Sequence, residues 1–271
     1  MTIHLGCQSY TWQMSHDRYK GEIPHILDIV AKAQFEGFEP EVCMLGDYDD
    51  PVRMKEQLDR RGLKLGALCL ALPWRQSAPT EEEHAETVRT LRFLKQFPGT
   101  LLVLVQLPGK DRRDLRDRQR NLINNIIWTS ELAAERGIVS AFHPNSPPGS
   151  IIRIQEDYDV FFDGISGTLC GYAPDTGHIQ LGGMDVETVL KKYRSLIRHV
   201  HFKDIDAGGE WTAMGSGVID HEAIVAMLRD TDYDGWIMVE EESKKAEMDP
   251  DIVTLENGRY VAERLAAIAA K

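Results

Sequence analysis

Eight short apolar runs, each followed by an amphipathic stretch, constrain this chain more than any other feature. They are Ile3–Ser9, Phe38–Cys43, Leu63–Leu70, Thr100–Gln106, Ile138–His143, Gly167–Tyr172, Ile197–Phe202 and Trp236–Glu240. Their length and composition predict strands, and the stretches between them predict helices. In Glu81–Phe97, Val88, Leu91, Leu94 and Phe97 recur every three residues on one face. In Arg112–Arg136, Leu122, Ile126 and Leu132 are expected to face inward, beneath a densely charged surface. Glycines in Glu36-Gly37, Arg61-Gly62 and Arg136-Gly137 stand where helices should stop before the next strand. No Pro/Gly/Ser-rich linker divides the pattern. It predicts an α/β fold, a single (β/α)8 TIM barrel over residues 1–271. An open doubly wound sheet is the alternative. No GxGxxG follows the first strand, so no nicotinamide cofactor is expected.

Composition narrows the function classes. The net charge is −12 and the basic residues are scattered, which argues against a nucleic-acid surface. Cys7, Cys43, Cys69 and Cys170 are far apart without a CxxC pair, so reduced thiols are expected. The N-terminus lacks a basic region leading into an apolar segment, and no 18-residue apolar run occurs. A cytoplasmic protein without a membrane partner is the expectation. Neither GxSxG nor a P-loop is present.

In a barrel, chemistry collects at the C-terminal tips of the strands. Long polar insertions follow strands here, at Arg75–Glu83, Pro144–Gln155 and Ala207–Gly217. Asp175, His201 and Glu240 each lie at or just past a predicted strand end. Two carboxylates and an imidazole suit a divalent cation with positions left open for substrate oxygens. His143 ends the fifth strand and reads as a fourth ligand or as a general base. His178 is a further ligand or substrate-binding group, although Asp-Thr-Gly-His reads equally as a capped turn. Of the pair in His199-Val200-His201, only His201 is expected to aim inward, with His199 facing the helices. Lys203 is a candidate clamp for a substrate oxygen. Glu41, Gln106 and Asn145 are candidate substrate-binding groups, and Glu242 should share the side of Glu240. Tyr10, Trp12, Trp74 and Trp211 fall after strands, where flat rings suit a sugar or aglycone. The loop Gly215–Asp220 offers backbone N–H groups that could hold an anion.

With these residues in place, the chain resembles the xylose-isomerase-like (β/α)8 sugar isomerases and epimerases, nearly end to end. The most specific parts are Asp175-Thr176-Gly177-His178, the phrase from His199 to Asp204, the Gly215–Asp220 loop, and Gly235-Trp236 leading to Glu240. The resemblance implies that Asp175, His201 and Glu240 bind a divalent metal: Mn²⁺ first, with Co²⁺, Zn²⁺ or Mg²⁺ as alternatives. Most sugar isomerases and epimerases of this group have a glutamate where this chain has His143. Histidine followed by Pro144 looks more like the inosose dehydratase branch and the α subunits of C-glycoside deglycosidases. The expected activity is therefore that of a metal-dependent lyase. It would enolise a 3-oxo-glycoside, including C-glycosides, or a keto-cyclitol, and eliminate a β leaving group. His143 is the expected base, with Glu240 as the fallback. A keto-sugar isomerase or epimerase using the same enediolate is the alternative, and a non-catalytic sugar-binding subunit a further one. The expected partners are a small carbohydrate and other subunits of an oligomer, among them a second, smaller subunit.

Overall fold

Pro40 ends the second strand early, and the reason is local: proline has no N–H to give to a ladder. The computed structural model describes residues 2–270. Its strands are β1 Ile3–Gln8, β2 Gly37–Glu39, β3 Lys64–Leu65, β4 Ala67–Leu72, β5 Leu101–Gln106, β6 Ser140–His143, β7 Cys170–Tyr172, β8 Val200–Phe202, β9 Asp204–Ile205, β10 Trp211–Thr212 and β11 Gly235–Val239. Each predicted run contains a strand, shorter than expected in most cases. The run Leu63–Leu70 is split at Gly66 into β3 and β4. Val42 and Cys43, expected to extend β2, instead fall in a 3-10 turn, Val42–Met44. The chain forms two compact units. One runs to Ala67 and resumes at His199; the other is Leu68–Arg198.

In the first unit the sheet order is β3-β2-β1-β11-β8. The pairings are parallel, with Gly6 opposite Met238 and Met238 opposite His201. Both faces of such strands are covered, which is why they read as unbroken apolar runs. Close approach fixes the residue choice at Gly37. A Cβ there would lie 2.4 Å from the Trp236 ring and 2.9 Å from the Lys64 carbonyl oxygen. Gly37 is thus a strand residue, which corrects its assignment as a helix stop; the left-handed residue after that helix is Gln34. Gly62, by contrast, is left-handed as expected, at φ +67°. Helix Ile23–Lys32 buries Ile23, Ile26, Leu27 and Val30, an i, i+3, i+4, i+7 stripe. Burying each of these side chains stabilises by roughly 1.5–3 kcal/mol. β9 and β10 form a small antiparallel hairpin that the apolar pattern did not indicate.

In the second unit the order is β4-β5-β6-β7, with Val105 opposite His143. Helix Glu81–Leu94 opens with a capping box. The Glu83 N–H donates to Thr80 Oγ1 at 3.2 Å, and the Thr80 N–H donates to Glu83 Oε2 at 2.8 Å. The other Glu83 oxygen accepts the Trp74 N–H at 2.6 Å, which ties the loop after β4 to this helix. Its buried stripe includes Thr87, Thr90, Leu91 and Leu94; Val88 is only half-buried. In helix Leu115–Ala134, Leu122 and Ile126 are buried as expected, while Ala133 takes the place given to Leu132. Gly137 is left-handed at φ +73°. All four cysteines are free. Among the described residues no helix is long and apolar enough to cross a membrane.

Candidate functional site

Three strand ends of the first unit carry a chain of buried charges. Glu39 is the last residue of β2, His201 sits within β8, and Glu240 follows β11 directly. The Glu240 N–H donates to the Phe202 carbonyl at 3.0 Å, which holds this residue beside β8. Glu39 Oε2 lies 2.6 Å from His199 Nε2, and Glu39 Oε1 lies 3.0 Å from His201 Nε2. His201 Nδ1 lies 3.2 Å from Glu240 Oε2, and Lys203 Nζ lies 2.5 Å from Glu240 Oε1. Lys203 also pairs with Glu242. The expectation that the two histidines diverge is corrected. Residues two apart in extended chain project to the same side, and both imidazoles meet Glu39.

The electrostatics follow from burial working against pairing. Burial alone would push the Glu39 carboxyl up, but His201 and His199 hold it well below the usual carboxylate range. Burial likewise opposes charge on His201, yet Glu39 and Glu240 push it up to about 10. Without a cation, His201 is thus an imidazolium between two carboxylates. Distances separate ligands from hydrogen-bond partners. Two donor atoms about 2.0–2.2 Å from one cation stand about 3.0–3.5 Å apart. The His201–Glu240 spacing of 3.2 Å meets this, and so does 3.0 Å from His201 to Glu39, which lies at the opposite ring nitrogen. Glu39, His199 and His201 also cluster as metal-competent groups, but 2.6 Å from Glu39 to His199 is a hydrogen bond.

Lys203, the candidate clamp, is buried, with 2% of its surface exposed. Its ammonium lies 5.4 Å from the Tyr10 ring centre and 5.5 Å from that of Trp211, within cation–π range. Glu41 lies just past β2. Its N–H donates to Ser9 Oγ at 2.9 Å, and its Oε2 accepts from Gln13 Nε2 at 2.9 Å. Burial pushes its carboxyl up to about 7, with the charges of Glu240 and Glu39 acting the same way. Trp12 is not a loop-presented ring. It lies within helix Tyr10–Gln13, fully buried, and its indole donates to Asp251 Oδ1 at 2.8 Å. Trp74 is fully buried as well, whereas Trp211 is half-buried in β10. The N–H groups of the Gly215–Asp220 loop have an occupant from the chain itself. Asp204 accepts from Gly215, Gly217 and Ile219 at 3.0, 2.9 and 3.3 Å.

In the second unit, His143 ends β6, and its Nε2 lies 3.5 Å from Asp175 Oδ2. Asp175 caps helix Thr176–Leu181: its Oδ1 accepts the His178 N–H at 2.8 Å. Capping and metal binding are thus compatible readings, since different oxygens serve them. His178 meets the His143 ring edge-on at 5.6 Å, and its Nδ1 lies 2.8 Å from Ser146 Oγ. Gln106 ends β5 and donates to the Pro73 carbonyl at 3.1 Å. Asn145 donates to the Gln106 carbonyl at 2.9 Å and accepts from Ser150. Sequence reasoning missed Glu39, Gln13 and Ser146. A signal for Glu39 was available: it is two residues from Glu41 in an apolar strand, so the two share a side.

Comparison with known proteins agrees with this architecture. A sequence model of the xylose isomerase-like TIM barrel family matches residues 27–268. The inosose dehydratase of Lacticaseibacillus casei is 25% identical over 297 residues, covering 96% of this chain and 97% of that protein. The 3-keto-D-glucoside 4-epimerase YcjR from E. coli superposes with a TM-score of 0.75 at 17% identity, covering 96% of this chain and 99% of that one. The IOLI protein with a bound zinc atom superposes with a TM-score of 0.76 at 16% identity, covering 98% and 100%. The fold is therefore the TIM barrel that the strand–helix repeat predicts.

Proposed function

Because the chain belongs to the xylose isomerase-like TIM barrel family, we propose that it is a divalent-metal-dependent lyase of keto-sugars or keto-cyclitols. It would remove the proton beside the ketone and expel a group β to it. The observation that carries this reading is the histidine at the tip of β6. His143 stands 3.5 Å from Asp175 and would supply an imidazole as the base. The inosose dehydratases among the relatives lend it support.

Asp175, His201 and Glu240 would hold the cation, with His143 as the candidate fourth ligand if it is not the base. The donor set fits in kind: each unit offers a carboxylate–imidazole pair at ligand spacing, His143 with Asp175 and His201 with Glu240. When bound, a divalent cation would polarise the substrate carbonyl and stabilise the charge that develops on its oxygen. Mn²⁺ is our first choice. His143 takes the proton from the carbon next to the ketone, and the electron pair then expels the β substituent. Lys203, fixed by Glu240 and Glu242, faces negative charge developing on a substrate oxygen. Glu41, held near neutral pH, can keep or lend a proton at a substrate hydroxyl. Gln106, Asn145, His178 and the Trp211 ring would bind the remaining sugar surface. The aromatic rings of Tyr10 and Trp211 beside Lys203 favour glycosides, C-glycosides included, among possible substrates.

One observation favours a second reading. Glu41 is another group able to exchange a proton near pH 7, and two such groups would suit a keto-sugar epimerase. Product analysis with His143→Ala separates these roles. If His143 is the base, the variant keeps its metal but loses both elimination and solvent-proton exchange. If it is a ligand, metal content falls first. A product that retains its leaving group and is inverted at one centre supports the epimerase. Normal exchange and product release in His143→Ala remove this residue from the mechanism.

A further inference from the structure

Glu39 is a fully buried carboxylate that the proposed chemistry leaves unused. It meets two imidazoles through one oxygen, with Oε2 2.6 Å from His199 Nε2 and 3.1 Å from His201 Nε2. The opposite nitrogen of His201, Nδ1, faces Glu240 at 3.2 Å. A neutral imidazole has one N–H and one lone pair, and whichever nitrogen donates leaves the other to bind a cation. With a cation on Nδ1 beside Glu240, the hydrogen left on the ring is at Nε2, where the Glu39 carboxylate accepts it. We propose that Glu39 is the positioning residue for His201: its Oε2 accepts the Nε2–H, orients the ring and reserves Nδ1 for the metal, while His199 anchors the same Glu39 oxygen.

Three features argue for this over a ligand role. The 2.6 Å contact to His199 is too short for two donors on one ion, and Glu39 touches the nitrogen of His201 turned away from Glu240. The two His–Glu39 contacts also join residues 160 and 162 positions apart in the chain, so they bind β2 to β8 in the finished fold. A carboxylate behind a metal-bound histidine fixes the ring and makes it a stronger donor, and its loss typically weakens metal binding by about 10–100-fold. His199 keeps the Glu39 charge partnered inside the protein.

The inference rests on His201 and Glu240 being metal ligands, and the test distinguishes the two failures. Zinc is titrated into the full chain, and two-bond ¹⁵N–¹H spectra of the histidine rings are recorded on the zinc-loaded protein. The expected result is hydrogen on Nε2 of His201 and zinc on Nδ1. Glu39→Gln and Glu39→Asp should each lower zinc affinity by about 10–100-fold, with unchanged stoichiometry at saturation. With the activating metal saturating, kcat should recover toward the wild-type value, which a loss of fold would not permit. Zinc on Nε2 in the wild type overturns the proposal without any variant. Unchanged zinc affinity in folded Glu39→Gln overturns it too. A wild-type protein that takes up no zinc or other divalent cation overturns the metal reading itself, and this inference with it.

Discussion

Glu41 shows how one side chain links stability to pH. Burial holds its carboxyl at about 7, above the 4.5 of an exposed glutamate. The fold therefore favours the protonated form. The stability this contributes is fully present below about pH 4.5 and is lost as pH rises through 7. In protein stripped of metal, Glu41→Gln should be more stable than wild type at pH 8, by at most about 3 kcal/mol. The difference should vanish below pH 4.5. Urea melts at the two pH values measure this, and equal stability at both contradicts the buried carboxyl. At this scale the sequence was informative where a residue's role follows from its place at a strand end. The places of His143, Asp175, His201 and Glu240 at or near strand ends were legible in that way, and their roles are the proposal made above. Glu39 offered only its two-residue spacing from Glu41; its pairing with histidines 160 and 162 residues away was not legible, because no local pattern joins them. Trp12 was misread because ring exposure depends on packing by Asp251 and its helix, far along the chain.

Loops above the strands are tied by single residues, and their loss should be felt locally. Asp204 accepts N–H groups from Ile205, Gly215, Gly217 and Ile219, gathering the segment after β9 around one carboxylate. Asp204→Ala would leave these donors without their acceptor. The expected cost is about 2–4 kcal/mol, from several lost bonds to a charged group. Limited proteolysis between residues 206 and 218 reads the loosened loop, and wild-type resistance there would contradict the role. In the second unit, Gly149 approaches Gly109 so closely that an added Cβ would stand 1.7 Å from the Gly109 carbonyl oxygen. Gly149→Ala must therefore displace the loop after β5 or β6, at a cost of about 1–3 kcal/mol. Thermal unfolding measures it. Element boundaries were the less legible part of the sequence. Pro40 and Gly66 both cut apolar runs that composition alone joins, and β9 and β10 are too short to show any period.

The whole-molecule reading rests on repetition. Strand followed by helix, eight times over, sufficed to predict the barrel because each repeat must bury its apolar strand beneath its own helix. We propose that residues 1–271 act as one domain, since a closed barrel shares a single core. Calorimetry should then show one transition whose calorimetric and van't Hoff enthalpies agree; two separated transitions would contradict it. Of the proposed function, the sequence carries only the level of a metal-assisted proton abstraction. In the proposed reading substrate choice would depend on side chains such as Tyr10, in a short helix, and Trp211, in β10, whose positions no strand periodicity fixes. The central claim is that a bound divalent cation and His143 together enolise a keto-sugar or keto-cyclitol. The most direct measurement follows a keto-cyclitol in D₂O by mass spectrometry, with enzyme that is metal-loaded, chelated, or chelated and then restored with Mn²⁺. The account predicts deuterium incorporation beside the ketone together with loss of water, both abolished by chelation and both restored by the metal. Exchange and elimination at undiminished rates in the folded, metal-stripped protein would contradict it.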